Sequence, residues 1–193
     1  MTPAELIAFE DDITSEFEAG NIKAPVHLAG GNELDLIKIF KNIQPQDWVL
    51  CTWRAHYHCL LKGVPPQQVK QAILNGRSIA LCFPEYRIFS SALVGGICPW
   101  AVGLAYEIKR RNDDERVYCF IGDMASEAGI FHECEKYSYS LPITWVIEDN
   151  RLSVCTDTKK AWRYGESEEL SSVLSYRYRL TKPHVGIGKF VRF

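Results

Sequence analysis

Residues 117–150 read VYCFIGDMASEAGIFHECEKYSYSLPITWVIEDN, and this stretch decides the fold. Its two short apolar runs, residues 117–121 and 143–147, are typical of buried β-strands. The segment between them, residues 127–139, has the length of a helix. The stretch therefore predicts a strand–helix–strand unit in which both strands lie parallel in one sheet.

Polar residues follow each predicted strand. The first strand is followed by Gly122 and Asp123, and the second by an acidic pair and Asn150. Since the carboxyl ends of parallel strands emerge on the same edge of a sheet, Asp123 and Asn150 are expected side by side. A carboxylate and an amide carbonyl are hard oxygen ligands, and a helix N-terminus beside them attracts anions. The pattern indicates a magnesium ion that holds a pyrophosphate group.

The composition is that of one soluble globular domain. The chain has 193 residues, 47% of them hydrophobic and 24% charged, and its formal net charge of −2 gives no reason to expect a nucleic-acid partner. Seven cysteines are scattered without a CxxC pair, which argues against a zinc site or a disulfide framework. No apolar run reaches membrane-spanning length and the first residues are acidic, so we expect a cytoplasmic protein.

Upstream of the central unit the chain reads as helices and one strand. Residues 3–19 have apolar residues at helical spacing and are interpreted as a docking helix without chemistry. A second helix is predicted over residues 33–41, a strand over 48–51 and a helix over 100–111. Residues 76–89 read as irregular.

Downstream of the central unit the chain changes character. Residues 173–180 alternate in a strand-like way, residues 181–188 form a Pro/Gly turn, and residues 189–193 are rich in β-formers. The pattern predicts a C-terminal β hairpin or a returning edge strand.

Several ordered blocks of the chain resemble one family. GDMASEAGIFHE followed by LPITWVIEDN resembles the thiamine-diphosphate motif, GDG and NN with a spacer of this length, in the alpha subunits of 2-oxo-acid dehydrogenase first components. GNIKAPVHLAGGNE, WRAHYHCLLKGVPP and SALVGGICPWAVGLAYEIKRR are similar to further blocks of that family. The resemblance implies an α/β fold of three layers, α/β/α, with a mainly parallel sheet. Residues 1–193 would form a single diphosphate-binding domain, with residues 1–20 as the docking helix and 157–193 as a divergent C-terminal segment.

The resemblance implies which residues bind the cofactors, thiamine diphosphate and Mg²⁺. Asp123 and Asn150 would ligate the magnesium ion through their side chains, and Leu152 through its backbone carbonyl. The amide of Ala125 and the guanidinium of Arg54 would hold the diphosphate, a role for which the planar, multi-donor arginine side chain is well suited.

Two cofactor-binding positions depart from the family pattern. Met124, which follows Gly122 and Asp123, stands where the family has a glycine. Trp53, next to Arg54, stands where the family has a tyrosine that donates a hydroxyl to the phosphate. The Trp53 position therefore lacks that hydroxyl donor.

The resemblance also implies contacts with the rest of the cofactor. Ala92 and Val94 would touch the aminopyrimidine, and His27 and His56 would lie near the reactive end as candidate catalytic residues. A second interpretation treats His56 as one half of a satisfied polar pair with its neighbour His58. His184 is interpreted as a turn histidine; the alternative is that it takes the place of the histidines of the family's C-terminal active-site loop, which this chain lacks.

The implied function is that of an alpha-type subunit for 2-oxo-acid decarboxylation and acyl transfer. In the family, the glutamate that activates the aminopyrimidine belongs to a separate beta-type, pyrimidine-binding subunit, so we expect a heterodimer or heterotetramer acting on a 2-oxo acid or ketose. Two alternatives stay open: a split transketolase-like carboligase or decarboxylase without a lipoyl step, and a non-catalytic cofactor-binding or partner-binding module.

Overall fold

A six-stranded sheet forms the middle layer of the structure, a computed structural model that describes residues 1–154, 156–162 and 173–184. The sheet has the strand order β2-β3-β1-β4-β5-β8, and every neighbouring pair is parallel except β2 and β3. Its strands are β1 Trp48–Cys51, β2 Cys82–Phe83, β3 Ile88–Ser90, β4 Val117–Gly122, β5 Ile143–Asp149 and β8 Val173–Arg177. A small antiparallel ribbon of β6 Leu152–Ser153 and β7 Thr156–Asp157 follows β5.

Helices cover both faces of this sheet. They are α1 Pro3–Glu18, α2 Glu33–Phe40, α3 His56–Leu61, α4 Pro66–Leu74, α5 Ile97–Arg111, α6 Asp123–Ser126, α7 Gly129–Tyr137 and α8 Thr158–Trp162. Buried residues of α1 to α4 pack on one face, and those of α5 and α7 pack on the other. The expected α/β fold of three layers is therefore confirmed.

The side chains of strand β4 are buried on both faces of the sheet. Tyr118 and Phe120 join the core under α1 to α4, whereas Val117, Cys119 and Ile121 join the core under α5 and α7. Because both faces are covered, the strand is a continuous apolar run rather than an alternating one. Each such side chain contributes roughly 1.5–3 kcal/mol by its burial, which makes β4 and its neighbour β5 the anchor of the domain.

The predicted elements are found with small shifts, apart from two differences. Residues 76–89, expected to be irregular, contain β2 and the start of β3, a three-residue strand that pairs with β1 and follows a left-handed turn at Arg87, φ 56°. A strand this short leaves no periodic signal in the sequence. The predicted helix 127–139 is found as α7, which begins two residues later than predicted, at Gly129; a separate four-residue helix, α6, precedes it, and the extended backbone of Ala128 divides the two.

The C-terminal strand β8 lies at the edge of the sheet. It pairs in parallel with β5, from Trp145 opposite Val173 to Asp149 opposite Arg177. Of the two structures expected for this segment, a hairpin and a returning edge strand, the described residues form the edge strand. The second strand of the alternative hairpin, residues 189–193, lies outside the described residues.

The strand order fixes where a ligand can bind. The chain runs from β1 to β3 on one side and then returns to β4 on the other, so the connections diverge between β1 and β4. Ligands of open parallel sheets bind in the crevice at the carboxyl ends of such strands. Among the helices in the described residues, none has the length and apolar character needed to span a membrane.

Candidate functional site

Four loops meet at the carboxyl edge of the sheet, and they carry the predicted site residues. Trp53 and Arg54 follow β1, Asp123 follows β4, and Asn150 follows β5. The loop with Ala92 follows β3 and is joined to the end of β1 by a hydrogen bond from the Ser91 amide to the Cys51 carbonyl, 3.0 Å. The fold brings these residues to one edge, although they are almost 100 positions apart in the sequence.

Asp123 lies directly after β4, where Gly122 is paired with Glu148 of β5. Its Oδ2 accepts a hydrogen bond from Thr158 Oγ1 at 2.5 Å. Burial raises the pKa of this half-buried carboxyl, and the nearby Asp149 raises it further. A bound divalent cation would remove that penalty on the charged form, so Asp123 fits the role of a magnesium ligand.

Asn150 turns the chain from β5 into the β6–β7 ribbon. Its Oδ1 accepts from the Leu152 amide at 2.8 Å across a left-handed turn at Arg151, φ 60°. Its Nδ2 donates to Tyr178 Oη at 3.4 Å. A carbonyl oxygen has two lone pairs, so Oδ1 retains one for a cation.

The acid that precedes Asn150 has another role. Asp149 is held by the Arg177 Nε at 2.6 Å and by the Arg151 amide at 2.9 Å. These contacts tie the end of β5 to the end of β8, which stabilises the turn that presents Asn150.

Arg54 is a half-buried cation at the centre of the edge. One of its terminal nitrogens, Nη2, lies 3.0 Å from His184 Nδ1. Burial lowers the pKa of Arg54, while the charges of Tyr178, Glu148, Glu10 and Asp123 act in the opposite direction. A guanidinium has five N–H donors in a planar fork, so the contact with His184 leaves donors for a phosphate group.

His27 and Trp53 carry unpaired polar atoms. The His27 ring stacks on His184, with centroids 4.2 Å apart, and contacts Trp53 edge-on at 6.3 Å. Within the described parts of the chain, His27 Nδ1 and Trp53 Nε1 are buried without a hydrogen-bond partner. Buried donors of this kind are costly, and a polar ligand between them would remove that cost.

His27 is held neutral by its surroundings. Burial lowers its pKa to about 3, and the positive potential of His184 and Arg54 adds to this effect. A neutral imidazole can accept or donate a proton through either nitrogen, depending on the tautomer. The ring therefore suits a pocket residue that meets a ligand without adding charge.

The two neighbouring histidines of α3 are fully buried. His56 Nε2 lies 2.9 Å from Ser78 Oγ, and its Nδ1 lies 3.3 Å from Glu10 Oε1 without hydrogen-bond geometry. His58 Nε2 lies 3.3 Å from Glu148 Oε1. Because His56 is enclosed, its geometry favours positioning of the site over contact with a reacting atom, and its catalytic role stays a prediction.

Ala92 and Val94 lie in the loop that follows β3. Their loop is open to solvent, with Leu93 72% and Val94 60% exposed. The adjacent Gly95 has φ +72°, and a Cβ there would lie 2.6 Å from Ile130 of α7, so this loop packs closely on the helix.

The turn after β4 does not require a glycine at its start. A Cβ at Gly122 would meet no atom within 4 Å, and Ala125 is buried in the turn. The helix after Asp123, α6, is only four residues long, so its dipole contributes little to anion binding and the expected support from a helix N-terminus is weaker than the sequence suggested.

Five residues around this edge were not assigned as site residues from the sequence; one is His184, interpreted as a turn histidine, which lies against Arg54 and His27. Glu10 accepts from the Ala29 amide at 3.0 Å and is 1% exposed. Glu148 is also buried and accepts from Tyr176 Oη at 2.5 Å. Only Glu10 had a visible signal, because it lies on the same face of α1 as Leu6, Phe9 and Ile13, where a charge is rare unless it is paired. Tyr178 and Thr158 lie in the divergent C-terminal segment, residues 157–193, where no site residue was assigned.

Within residues 1–154, 156–162 and 173–184, no group of three or more His, Cys, Asp or Glu side chains could hold a metal ion. The predicted ligand set has only one such side chain, Asp123, together with an amide oxygen and a backbone carbonyl. Magnesium commonly binds through one or two carboxylates, with water and phosphate oxygens in its other positions. The donors at this edge therefore have the chemistry that a magnesium diphosphate needs.

Comparison with known proteins gives one family and a set of relatives. The model of the family described as "Dehydrogenase E1 component" matches residues 2–173. The chain is 28% identical over 165 residues to the alpha subunit of acetoin:2,6-dichlorophenolindophenol oxidoreductase from Bacillus subtilis, covering 79% of this chain and 49% of that protein. It is 28% identical over 182 residues to the chloroplastic pyruvate dehydrogenase E1 component subunit alpha-3 of Arabidopsis thaliana, covering 82% of this chain and 42% of that protein.

The chain thus spans about half the length of the curated relatives it matches. Among solved structures, it is similar to a proposed thiamin diphosphate-dependent enzyme from Mycobacterium smegmatis, with a TM-score of 0.45 and 16% identity. That match covers 67% of this chain and 24% of the other.

Proposed function

The chain belongs to the dehydrogenase E1 component family, and from this premise we propose that it is the alpha-type subunit of a thiamine-diphosphate-dependent enzyme. Its reaction would be decarboxylation of a 2-oxo acid and transfer of the acyl group. Residues 1–193 would act as one domain that binds the magnesium-diphosphate end of the cofactor.

One observation carries the proposal. Asp123 and Asn150 follow neighbouring parallel strands, and Arg54 follows β1 on the other side of β4. The three side chains therefore surround the point at which the strand order reverses, where phosphate-bearing ligands bind in sheets of this kind. A carboxylate, an amide and a guanidinium are a suitable set for a cation and an anion bound together.

Each residue would have a distinct task. Asp123, the Asn150 amide oxygen and the Leu152 carbonyl would ligate Mg²⁺, while Arg54 and the Ala125 amide would neutralise and orient the diphosphate. The Trp53 indole N–H, which lacks a partner among the described residues, would donate to the ligand. His27 would face the reactive end as a neutral group. The cofactor itself supplies the electron sink needed to break a carbon–carbon bond beside a carbonyl.

A second subunit would complete the active site. The loop that would contact the aminopyrimidine, with Ala92 and Val94, is exposed, and Leu93 beside it projects into solvent. An exposed apolar loop next to a cofactor site supports a partner surface. We propose a beta-type, pyrimidine-binding subunit, in a heterodimer or heterotetramer, as that partner. Turnover of a 2-oxo acid by the isolated chain would contradict this assignment.

The names of the relatives support the dehydrogenase-type reaction over the two alternatives. Pyruvate dehydrogenase E1 alpha subunits recur among them. To separate the reactions, the chain would be assayed with its partner for acylation of a lipoyl peptide and for ligation to an aldehyde acceptor. We expect acylation, and ligation alone would favour the carboligase.

Calorimetric titration with thiamine diphosphate and Mg²⁺ tests the site directly. Asp123→Ala removes the proposed carboxylate ligand, so the affinity should fall by at least about tenfold. Asp113→Ala is the matched control, because Asp113 is an acid in the turn before β4, near the other end of the strand, where it pairs with Arg111. If Asp123→Ala binds as tightly as the unaltered chain, the magnesium assignment is wrong.

A further inference from the structure

Tyr178 occupies the same edge of the sheet as the proposed magnesium and phosphate ligands. It follows β8 directly, and its amide donates to the Asp149 carbonyl at 2.9 Å. Since Arg177 is paired with Asp149 in the parallel ladder, Tyr178 lies beside Asn150. The edge strand thus brings a phenol to the end of β5.

The surroundings of the Tyr178 hydroxyl are those of the proposed cofactor site. Asn150 Nδ2 donates to Oη at 3.4 Å. Burial and the charge of Glu148 raise the pKa of Tyr178, Arg54 lowers it and Asp123 raises it. The hydroxyl thus contacts Asn150, a proposed magnesium ligand, and lies within electrostatic range of Arg54 and Asp123.

The O–H group of Tyr178 can still donate a hydrogen bond. Within the described portion of the chain, Tyr178 Oη accepts from Asn150 and donates to no group. The neighbouring Tyr176 differs, because its hydroxyl donates to the buried carboxylate of Glu148 at 2.5 Å. The two rings lie 5.8 Å apart at 37°. Tyr176 thus stabilises the sheet edge, whereas Tyr178 has a proton to offer to a ligand.

We propose that Tyr178 is a cofactor-binding residue whose hydroxyl donates a hydrogen bond to the diphosphate. It supplies from the C-terminal edge strand the phenolic donor that the Trp53 position lacks. A hydroxyl that donates to a phosphate oxygen forms a short, charge-assisted hydrogen bond. This inference rests on the proposed function, because it names a further residue of the same site.

The test is the affinity of the full chain, together with its partner subunit, for two ligands. Tyr178→Phe removes the hydroxyl and keeps the ring. In calorimetric titrations with Mg²⁺, we expect its affinity to fall about tenfold both for thiamine diphosphate and for inorganic pyrophosphate, the value of one hydrogen bond to a charged group. Equal losses for both ligands would locate the contact at the diphosphate.

Tyr176→Phe is the matched control. It removes a hydroxyl from the same strand-end and with it the shortest hydrogen bond to the buried Glu148 carboxylate, so it should lower the thermal midpoint of the ligand-free protein. Its affinity for either ligand should stay within about twofold of the unaltered chain. Tyr178→Phe should show the opposite pattern, with a nearly unchanged midpoint and weaker binding.

Three outcomes would overturn the proposal, and they differ in what else they overturn. If Tyr178→Phe binds both ligands normally while Asp123→Ala does not, the role of Tyr178 is wrong and the proposed function stands. If both tyrosine variants weaken binding equally, Tyr178 acts through packing. If the unaltered chain with its partner binds neither ligand, the proposed function is wrong as well.

Discussion

At the scale of single residues, the site brings together groups whose charged forms are disfavoured by burial. The pKa of His27 is lowered to about 3, that of Asp123 is raised, and that of Arg54 is lowered, with burial the first cause in each case. Perturbed groups of both signs in one crevice are typical of functional sites. A magnesium diphosphate would offset these penalties together, since it brings a cation to Asp123 and an anion to Arg54.

The neutral state of His27 predicts a dependence of stability on pH. The folded protein keeps this ring uncharged down to about pH 3, whereas the unfolded chain takes up a proton near pH 6.5. Between these values the unfolded state binds more protons, so the free energy of unfolding falls as the pH falls through that window. Since the ring is half-buried and partly screened, we expect a loss of about 1–2 kcal/mol.

Urea denaturation at pH 7 and pH 5 measures this loss. His27→Gln should reduce the difference between the two conditions, with a remainder from His184, whose pKa is also lowered. His132→Gln, at an exposed position of α7, should leave the difference unchanged. An equal pH dependence in His27→Gln and the unaltered chain would show that His27 does not carry a lowered pKa.

Residues that follow strands could be predicted, and those brought in from elsewhere could not. Asp123 and Asn150 were accessible because each ends a recognisable apolar run, and parallel strands share an edge. Tyr178 follows a five-residue strand whose partner cannot be read from its sequence, and Thr158 lies in a polar segment without a motif. The burial of His56 involves a contact with Glu10, which lies 46 residues away on another helix and could not be paired with it from the sequence.

At the scale of elements, the segment after β8 is fitted onto the loop between α1 and α2. The Thr181 amide donates to the Gly30 carbonyl at 3.2 Å, and Lys182 Nζ donates to Asp11 of α1 at 2.9 Å. A Cβ at Gly31 would lie 2.2 Å from the backbone carbonyl oxygen of Arg179. Glycine at this position therefore lets the last described segment lie against the loop that carries His27.

Gly31→Ala should release this segment. Gly31 has φ +97°, and backbone atoms of Arg179 cannot move aside as a flexible side chain would. Gly20→Ala is the control, because Gly20 also has a positive φ, +78°, but no atom within 4 Å of the added Cβ. Both variants should lose about 1 kcal/mol for the backbone conformation.

Limited trypsin digestion distinguishes the two variants. In Gly31→Ala, the peptide bond after Arg179 should be cut several times faster. The increase should be roughly in proportion to the fraction of molecules in which the segment after β8 is released from the loop. In Gly20→Ala they should be cut at the rate of the unaltered chain. Similar cleavage in both would mean that the segment does not depend on the space at Gly31.

Long apolar elements were predictable from the sequence, and short or interrupted ones were not. Strands β4 and β5 are buried on both faces, so they appear as continuous apolar runs. Strand β3 has three residues and owes its position to pairing with β1. The break between α6 and α7 depends on the extended backbone of Ala128, a residue that on its own favours helix.

At the scale of the whole molecule, large apolar side chains remain in solvent on the α5–α7 side. Leu93, Trp100 and Ile130 are 72%, 66% and 39% exposed, and Gly95 brings the Leu93 loop against Ile130. Exposed apolar groups that adjoin one another mark an interaction surface more often than isolated ones do. We assign this surface to the proposed partner subunit.

Leu93→Asp should weaken that assembly without unfolding the chain. The side chain is mostly in water already, so the thermal midpoint should stay within about 2 °C, whereas a charge buried in an interface should weaken association by at least about tenfold. Leu34→Asp is the control, because Leu34 is 73% exposed on α2, on the opposite face of the sheet. Sedimentation of each variant with the proposed beta-type partner measures association, and thermal denaturation of each variant alone measures the midpoint. Equal weakening of association by Leu93→Asp and Leu34→Asp would contradict the assignment of this surface.

The contact between Lys182 and Asp11, 171 positions apart, has a consequence for biosynthesis. On a ribosome, the loop with His27 leaves the exit tunnel early, whereas Tyr178 and His184 emerge more than 150 residues later. The central strands can pair before that moment, but the pocket cannot be complete until translation has passed these residues. Before that point a nascent chain would hold the paired central strands with an open, cofactor-free edge, and capture of the ligand would follow the emergence of Tyr178 and His184.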